Sequence, residues 1–450
     1  MKSIRIGNAC GFWGDSPDAP RRLAEAGRLD YLTLEYLAEL TMSILASQRQ
    51  RNPNAGYATD FIEVLPTLAD QLQRQPTLKI VTNAGGMNPR ACAEAAKAAL
   101  EACGVRDRRY GLVHGDDLLP RLDELIAGGH ELRHLDSGEP LSAVRERVVS
   151  ANAYLGSAAI AEALRRGANV VMTGRVADAC LVVGPCLAEF GWAVNDWQKL
   201  GAATVAGHLI ECGAQATGGL WINADDDTDL AHIGYPFVDV DATGEFTISK
   251  PAGTGGAVNL QTVAEQLLYE VGDPAKYYTP DVVADFTAPS FTQSAPDVVR
   301  CTGATGTAAT SSYKVSIAYR DGFTATGTLV IVGPNAVMKA RKSGAMLLER
   351  LKCSGFTYAH SLVEVIGAGD SVPGALPKCD APEVLLRVGV RDANRAAVER
   401  FTKEFAPLVT SGYAGTAGYT TGRASVREVF GYWPSLIAKS AVTPVVEMLN

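Results

Sequence analysis

An α/β fold, with a mainly parallel sheet and flanking helices followed by a smaller α+β domain with an antiparallel sheet, is predicted by three observations. Short apolar runs alternate with helical patterns through the first part of the chain, as β-α units around a parallel sheet do. The segment from Gly156 to Ala179 is such a unit in miniature. Its Ile160, Ala161, Ala163 and Leu164 form an apolar stripe, Gly167 closes the helix, and Val170-Val171-Met172 continues as a buried strand. From about Phe286 the texture changes to paired strands, so the boundary is placed near residue 290, giving domains 1–290 and 291–450.

In order, strands are expected at Ile4–Gly7, Tyr31–Leu34, Leu78–Thr82, Gly111–Val113, Arg147–Ala151 and Val170–Thr173. Helices Phe61–Gln73, Pro89–Cys103 and Leu118–Ala127 fall between them, the last stopped by Gly128-Gly129. In the second domain the pattern predicts strand Tyr313–Tyr319, a hairpin turn at Asp321-Gly322 and strand Thr326–Val332. Helix Asn335–Lys352, strand Tyr358–Ile366, a Gly/Pro-rich linker Ser371–Pro382, strand Glu383–Val390, helix Ala393–Pro407 and a last strand around Val442–Met448 follow.

Composition narrows the function classes. With 450 residues, 47% hydrophobic and 20% charged, the chain has the make-up of a folding globular protein with large cores. A net charge of −8 without a local Lys/Arg run leaves no electrostatic footprint for nucleic acid. The N-terminus turns at once into a strand pattern, without the apolar core of a signal peptide. No apolar stretch reaches the roughly 18 residues of a membrane span. A cytoplasmic protein is therefore expected, with no membrane partner, and a homo-oligomer is the prior for its size. Nine cysteines are scattered without metal-knuckle spacing and read mostly as small buried residues, Cys212 being kept open.

Several motifs carry candidate chemistry. His130-Glu131-Leu132-Arg133-His134 fits H-E-x-x-H, yet the glycines before it and Asp136-Ser137-Gly138 after it leave little room for the helix that zinc binding needs. No metal is assigned. Asn83-Ala84-Gly85-Gly86 follows a strand and precedes a helix capped by Asn88, so its amides and Asn83 face the strand ends. Gly174-Arg175-Val176-Ala177-Asp178 puts a guanidinium at a strand end, for an anionic ligand, for an ion pair with Asp178, or for both. Lys250-Pro251-Ala252-Gly253-Thr254-Gly255-Gly256 leads into a helical pattern and is either an anion-binding loop or a plain turn. It is neither a Walker loop nor a dinucleotide fingerprint.

The densest run of reactive side chains is His208 to Gly219, with Glu211 and His208 as candidate acid or base, Cys212 as candidate nucleophile, and Gln215 among the ligand-facing groups. Glu35, Tyr36 and Glu39 also follow a strand, as do His114, Asp116 and Asp117, where Asp117 equally reads as a helix cap. The candidate catalytic residues are Glu211, Cys212 and Asp178; the candidate ligand-binding residues are Asn83, Gly85, Gly86, Arg175, Gln215, Thr254, Gly255 and Gly256.

Taken together, these runs resemble the acyclic terpene utilisation protein A family. The strings that carry the resemblance are Ile6 to Phe12, Tyr36 to Met42, Asn83 to Gly86, Gly174 to Ala179, Glu211 to Gly219 and Lys250 to Gly256. The resemblance implies a place in the breakdown of citronellol- and geraniol-like compounds through branched acyl-coenzyme A thioesters, and carries over no catalytic residue. Some relatives carry a further small ferredoxin-like domain at the C-terminus; none is expected here. The function expected is a catabolic enzyme of lyase, hydratase or isomerase type, acting on a small carboxylate or branched acyl-coenzyme A. No cofactor is expected, coenzyme A entering only as part of the substrate. The alternative is a non-catalytic ligand-binding or partner subunit of a catabolic enzyme complex.

Overall fold

Runs of branched apolar residues need cover on both faces, which a parallel sheet between helices provides. In the computed structural model, which describes residues 2–418 and 422–449, five such strands lie side by side. They are Ser3–Asn8, Tyr31–Leu34, Lys79–Thr82, Val170–Thr173 and Tyr110–His114, all parallel. The register sets Leu32 opposite Ile80 and Val81 opposite Val171, all buried. Helices Thr59–Arg74 and Pro89–Ala102 cover the sheet with Phe61, Val64, Leu65 and Leu68 and with Ala93, Ala96 and Leu100, the three-and-four spacing of a helical stripe.

Antiparallel strands extend this parallel centre at both edges into a ten-stranded sheet. Phe237–Asp241 pairs with Ser3–Asn8 and is followed outward by Phe246–Ser249, Val298–Thr302 and Ser290–Ala295. Val445–Leu449 pairs with Tyr110–His114 at the other edge. The expected division near residue 290 differs from what forms. One compact unit comprises Met1–Ala318 and Tyr432–Asn450, the other Tyr319–Gly431. The physical reason is strand pairing, since residues 290–302 and 445–449 complete the large sheet.

The second unit has an antiparallel sheet in which Glu383–Asp392 lies between His360–Ile366 and the strand Ser312–Val332. Its core gathers Leu329, Leu347, Val365, Leu386, Val388 and Phe401 between the sheet and helices Ala336–Cys353 and Arg395–Phe401. The hairpin expected at Asp321-Gly322 is not there: Ser312–Val332 runs through as one strand. Asp321 pairs with Arg391 of the neighbouring strand, and Gly322 absorbs the irregularity at φ +88° within the strand. The helix expected at Ala393–Pro407 ends at Phe401, and a separate turn forms at Leu408–Ser411.

No helix among the described residues is long and apolar enough to cross a membrane. His130–His134 is not helical: Leu132 has φ +47°. The His134 Nδ1 accepts the amide hydrogens of Asp136 and Ser137 at 3.1 and 3.3 Å, so this segment does not offer two histidines on one helical face.

Because the five central strands are parallel, Asn8, Leu34, Thr82, Thr173 and His114 all end at one edge, the edge that serves ligands in open α/β sheets. Helix Trp197–Glu211 comes to this edge. It is apolar all round and buried from Leu200 to Ile210. Gly207 lets its backbone approach Ala179, whose Cα lies 2.9 Å from where a Cβ would sit. Gly207→Leu is expected to destabilise the chain by about 1–3 kcal/mol through overpacking. Urea unfolding checks this against the exposed Lys276→Ala, and equal midpoints for the two variants would contradict the close approach.

Candidate functional site

At the strand edge, side chains that a core would normally exclude are buried and held by hydrogen bonds. Asn8 Nδ2 donates to the carbonyls of Ile210 and Glu211 at 2.8 and 2.9 Å, and its Oδ1 accepts from the Thr33 hydroxyl at 3.0 Å. This joins the end of helix Trp197–Glu211 to the first two strands. Glu35, just past the second strand, is 4% exposed. Its Oε1 accepts from the Leu37 amide at 2.9 Å and from Asn83 Nδ2, while Asn83 Oδ1 accepts from the Tyr36 amide at 2.8 Å. Glu35 Oε2 is buried without a protein partner.

Arg175, past the fourth strand of the sheet, is 1% exposed. Its Nη1 donates to Asp178 Oδ1 at 2.7 Å and to the Leu37 carbonyl at 3.1 Å. The guanidinium carbon lies 4.1 Å from the Tyr154 ring centroid, and Lys314 Nζ stands 4.8 Å from that same centroid. Tyr154 OH and Lys314 both donate to Glu39. Burial works against the Glu39 charge, but Lys314 and Arg175 outweigh it and hold the carboxyl down to about 2. Asp178 is one-third exposed and marks the open side of the cluster.

The acids beside this ion pair behave differently. Burial pushes the Glu35 carboxyl up, Asp178 adds to the push, and Arg175 opposes it. Glu211 rises for the same first reason, opposed by His208 and reinforced by Asp178 and Glu270. Its Oε1 lies 3.1 Å from His208 Nδ1, and its Oε2 is buried without a protein partner. Burial and the Glu211 charge raise the Cys212 thiol to about 12, so the thiolate a nucleophile needs is scarce near neutrality. On the far side of Arg175, Asp116 Oδ2 accepts from the Arg175 amide at 2.9 Å and from Asn152 Nδ2 at 2.8 Å. Asp116 also lines a cavity of about 420 Å³ with Arg49, Gly86, Met87, His114 and Glu447.

Of the residues singled out in the sequence, Arg175, Asp178, Glu211 and Cys212 thus come within electrostatic or hydrogen-bonding reach along one chain of neighbours, and Asn83 joins them through Glu35. Gly85 packs against the Thr173 carbonyl and Pro89, and Gly86 sits under Leu45 at φ +49°. Gln215 lies half-buried in the short turn Gly213–Thr217. Thr254, Gly255 and Gly256 lie in a closed clasp. The amides of Gly255, Gly256 and Ala257 donate to His232, Asp229 and Thr217 carbonyls at 2.7, 2.9 and 2.7 Å, and Thr254 Oγ1 donates to the Pro251 carbonyl at 2.6 Å. The helix beyond starts at Leu260, its first amides taken by Asn259. This clasp leaves those amides no hydrogen for an anion.

A family profile described as acyclic terpene utilisation family protein AtuA matches residues 4–448, nearly the whole chain. The chain belongs to the acyclic terpene utilisation family. No curated protein and no solved structure matches it. The family's strings now have places in space: Asn8, Asn83, Arg175 and Glu211 belong to four of them and stand at one sheet edge, whereas Lys250 to Gly256 folds into the clasp. Missing from the predicted site are Glu35, Asp116 and Tyr154. The signal for the first two was an acid just past a strand end; for Tyr154 there was none, since its role is the ring it offers to Arg175.

Burial raises Asp116 from the ordinary 3.8 to about 6. A carboxyl raised in the folded state contributes stability below its unfolded value, lost as pH rises through the folded one. The stability of the native chain relative to Asp116→Asn is therefore expected to fall between about pH 4 and 6. Thermal melting of both proteins across that range checks it; parallel curves would contradict the buried acid.

Proposed function

We propose that this member of the acyclic terpene utilisation family is an acid–base enzyme of lyase, hydratase or isomerase type, acting on a small carboxylate or a branched acyl-coenzyme A. The observation that carries the reading is Glu35. Its Oε1 is occupied by two N–H donors, so a proton on this buried carboxyl resides on Oε2, the oxygen without a protein partner. A buried acid that holds its proton more tightly than usual, beside the Arg175–Asp178 ion pair, is poised to donate.

In this reading a substrate C–H proton goes to Glu211 Oε2 while its electron pair stays on the substrate. The adjacent C–O bond breaks, and the leaving oxygen takes the Glu35 proton. Hydration is the same path reversed. Asn83 and Leu37 hold Glu35 in place, and Asp178 at the open side with Arg175 behind it sets the local charge. Cys212 enters as a neutral thiol lining the site. No step calls for a resident cofactor; coenzyme A belongs to the substrate. A homo-oligomer in the cytoplasm remains part of the proposal.

The second reading, a non-catalytic ligand-binding or partner subunit, draws on one observation: Arg175 Nη1 is committed to Asp178 and Leu37, as in a purely structural ion pair.

The deciding experiment begins with a thermal-shift screen against short and branched acyl-coenzyme A esters, their free acids and divalent metals, since a ligand that binds only the native state raises its melting temperature. Turnover of the compounds that bind is then measured. Glu35→Gln and Glu211→Gln are each expected to lower kcat by roughly 10²–10⁴-fold, the range general acid–base groups supply, with the melting temperature kept. Binding without turnover, or turnover indifferent to both substitutions, supports the subunit reading instead.

A further inference from the structure

His208 and Glu211 stand one turn apart near the end of helix Trp197–Glu211, and the surroundings of the imidazole restrict where its protons can be. The ring is 2% exposed. Its Nε2 lies 3.0 Å from the Gln266 carbonyl oxygen and 3.1 Å from that of Leu267. Both are acceptors only, so Nε2 carries a hydrogen whatever the charge of the ring. A return bond from Gln266 Nε2 to the His208 carbonyl, at 3.0 Å, locks this geometry between two helices. Tyr277 and Phe286 close the remaining sides, with ring centroids 5.3 and 4.9 Å away.

With Nε2 committed, one proton remains to be placed on the 3.1 Å line between Nδ1 and Glu211 Oε1. On the ring it makes an imidazolium–carboxylate pair; on the oxygen it makes two neutral groups. Either way the pair is neutral as a whole, which suits a dry site. The other titratable groups facing it are Asp178, Glu270, Cys212 and Tyr277.

We propose that His208 is the positioning residue of Glu211: its fixed Nε2–H tautomer holds one proton between Nδ1 and Oε1 and presents Oε2 as the atom that exchanges a proton with substrate. When Oε2 takes a proton from a C–H bond, the electron pair stays on the substrate and the His–Glu pair goes from neutral to singly positive. Giving that proton up restores the pair. The turnover half of this inference rests on the acid–base reading above; the tautomer and the shared proton do not.

Long-range proton–nitrogen correlation spectra of the full chain, labelled with ¹⁵N in its six histidines and recorded without substrate, test it. The signal absent from His208→Gln identifies the residue. Nε2 is expected to stay protonated across the neutral pH range, and Nδ1 to resonate between its protonated and bare positions. In Glu211→Gln, Nδ1 is expected to move fully to the bare, hydrogen-bond-accepting position while Nε2 stays put. A bare Nε2, or an Nδ1 unmoved by Glu211→Gln, overturns the inference. Should His208→Gln fail to fold, the one signal that differs between the native and Glu211→Gln spectra serves for assignment, and identical spectra overturn the inference. Failure here leaves Glu35 as the acid of the proposed reaction, whereas failure of the substrate screen leaves the shared proton standing, so the two are told apart.

Discussion

A guanidinium sealed from water sets the terms for everything near the strand edge. A full charge in a low-dielectric interior is tolerated only when paired and hydrogen-bonded, and Arg175 meets this with Asp178, the Leu37 carbonyl and the face of Tyr154. That arrangement fixes the charge its neighbours can hold. Burial lifts Glu35, Asp116 and Glu211 above their ordinary range, Asp178 adding to the rise of Glu35 and Glu211 and Asp117 to that of Asp116, while Glu39, with Lys314 beside it, falls.

The raised acids are nonetheless not equivalent. Glu35 is held by amide donors alone, which leaves its proton on the outer oxygen. Glu211 faces a basic nitrogen and shares its proton inward. Asp116 accepts from a backbone amide and a side-chain amide, and so braces Arg175 from behind. Environments that separate otherwise identical carboxyls are how one fold runs acid and base steps at one pH. The acid–base chemistry proposed for this chain rests on that separation rather than on any single residue type.

Much of this was legible in the chain because the central strands are buried on both faces and so read as plain apolar runs: Tyr31–Leu34 and Val170–Thr173 fold over the residues expected. Helix Trp197–Glu211 went unread for the same physical reason in reverse. Buried all round, it has no polar face and no 3.6-residue contrast to detect. Asp321-Gly322 has the chemistry of a turn, but a partner strand bearing Arg391 kept the chain extended. At the site, strand-end loops announced Asn83 and Arg175, and a dense run of reactive side chains announced Glu211. Local sequence says nothing about where a loop's amides are spent, however, and those of Gly255 and Gly256 go to carbonyls far away in the chain. The pairing of Glu35 with Asn83 is likewise a product of strand order, invisible until the second and third strands lie side by side.

The return of Val445–Leu449 to the edge strand Tyr110–His114 has a consequence for how the protein is made. During synthesis the strand at 110–114 emerges early but stays an open edge until residues 445–449 have been made. An unpaired edge is a template for pairing with another chain, and contacts this distant in sequence form slowly. The segment 319–431, meanwhile, carries its own apolar core and has all of its residues before that edge is closed. Birth order thus runs from the inserted unit to the finished large sheet, and a chain cut short of residue 445 would keep the strand at 110–114 as an open edge, just ahead of Asp116.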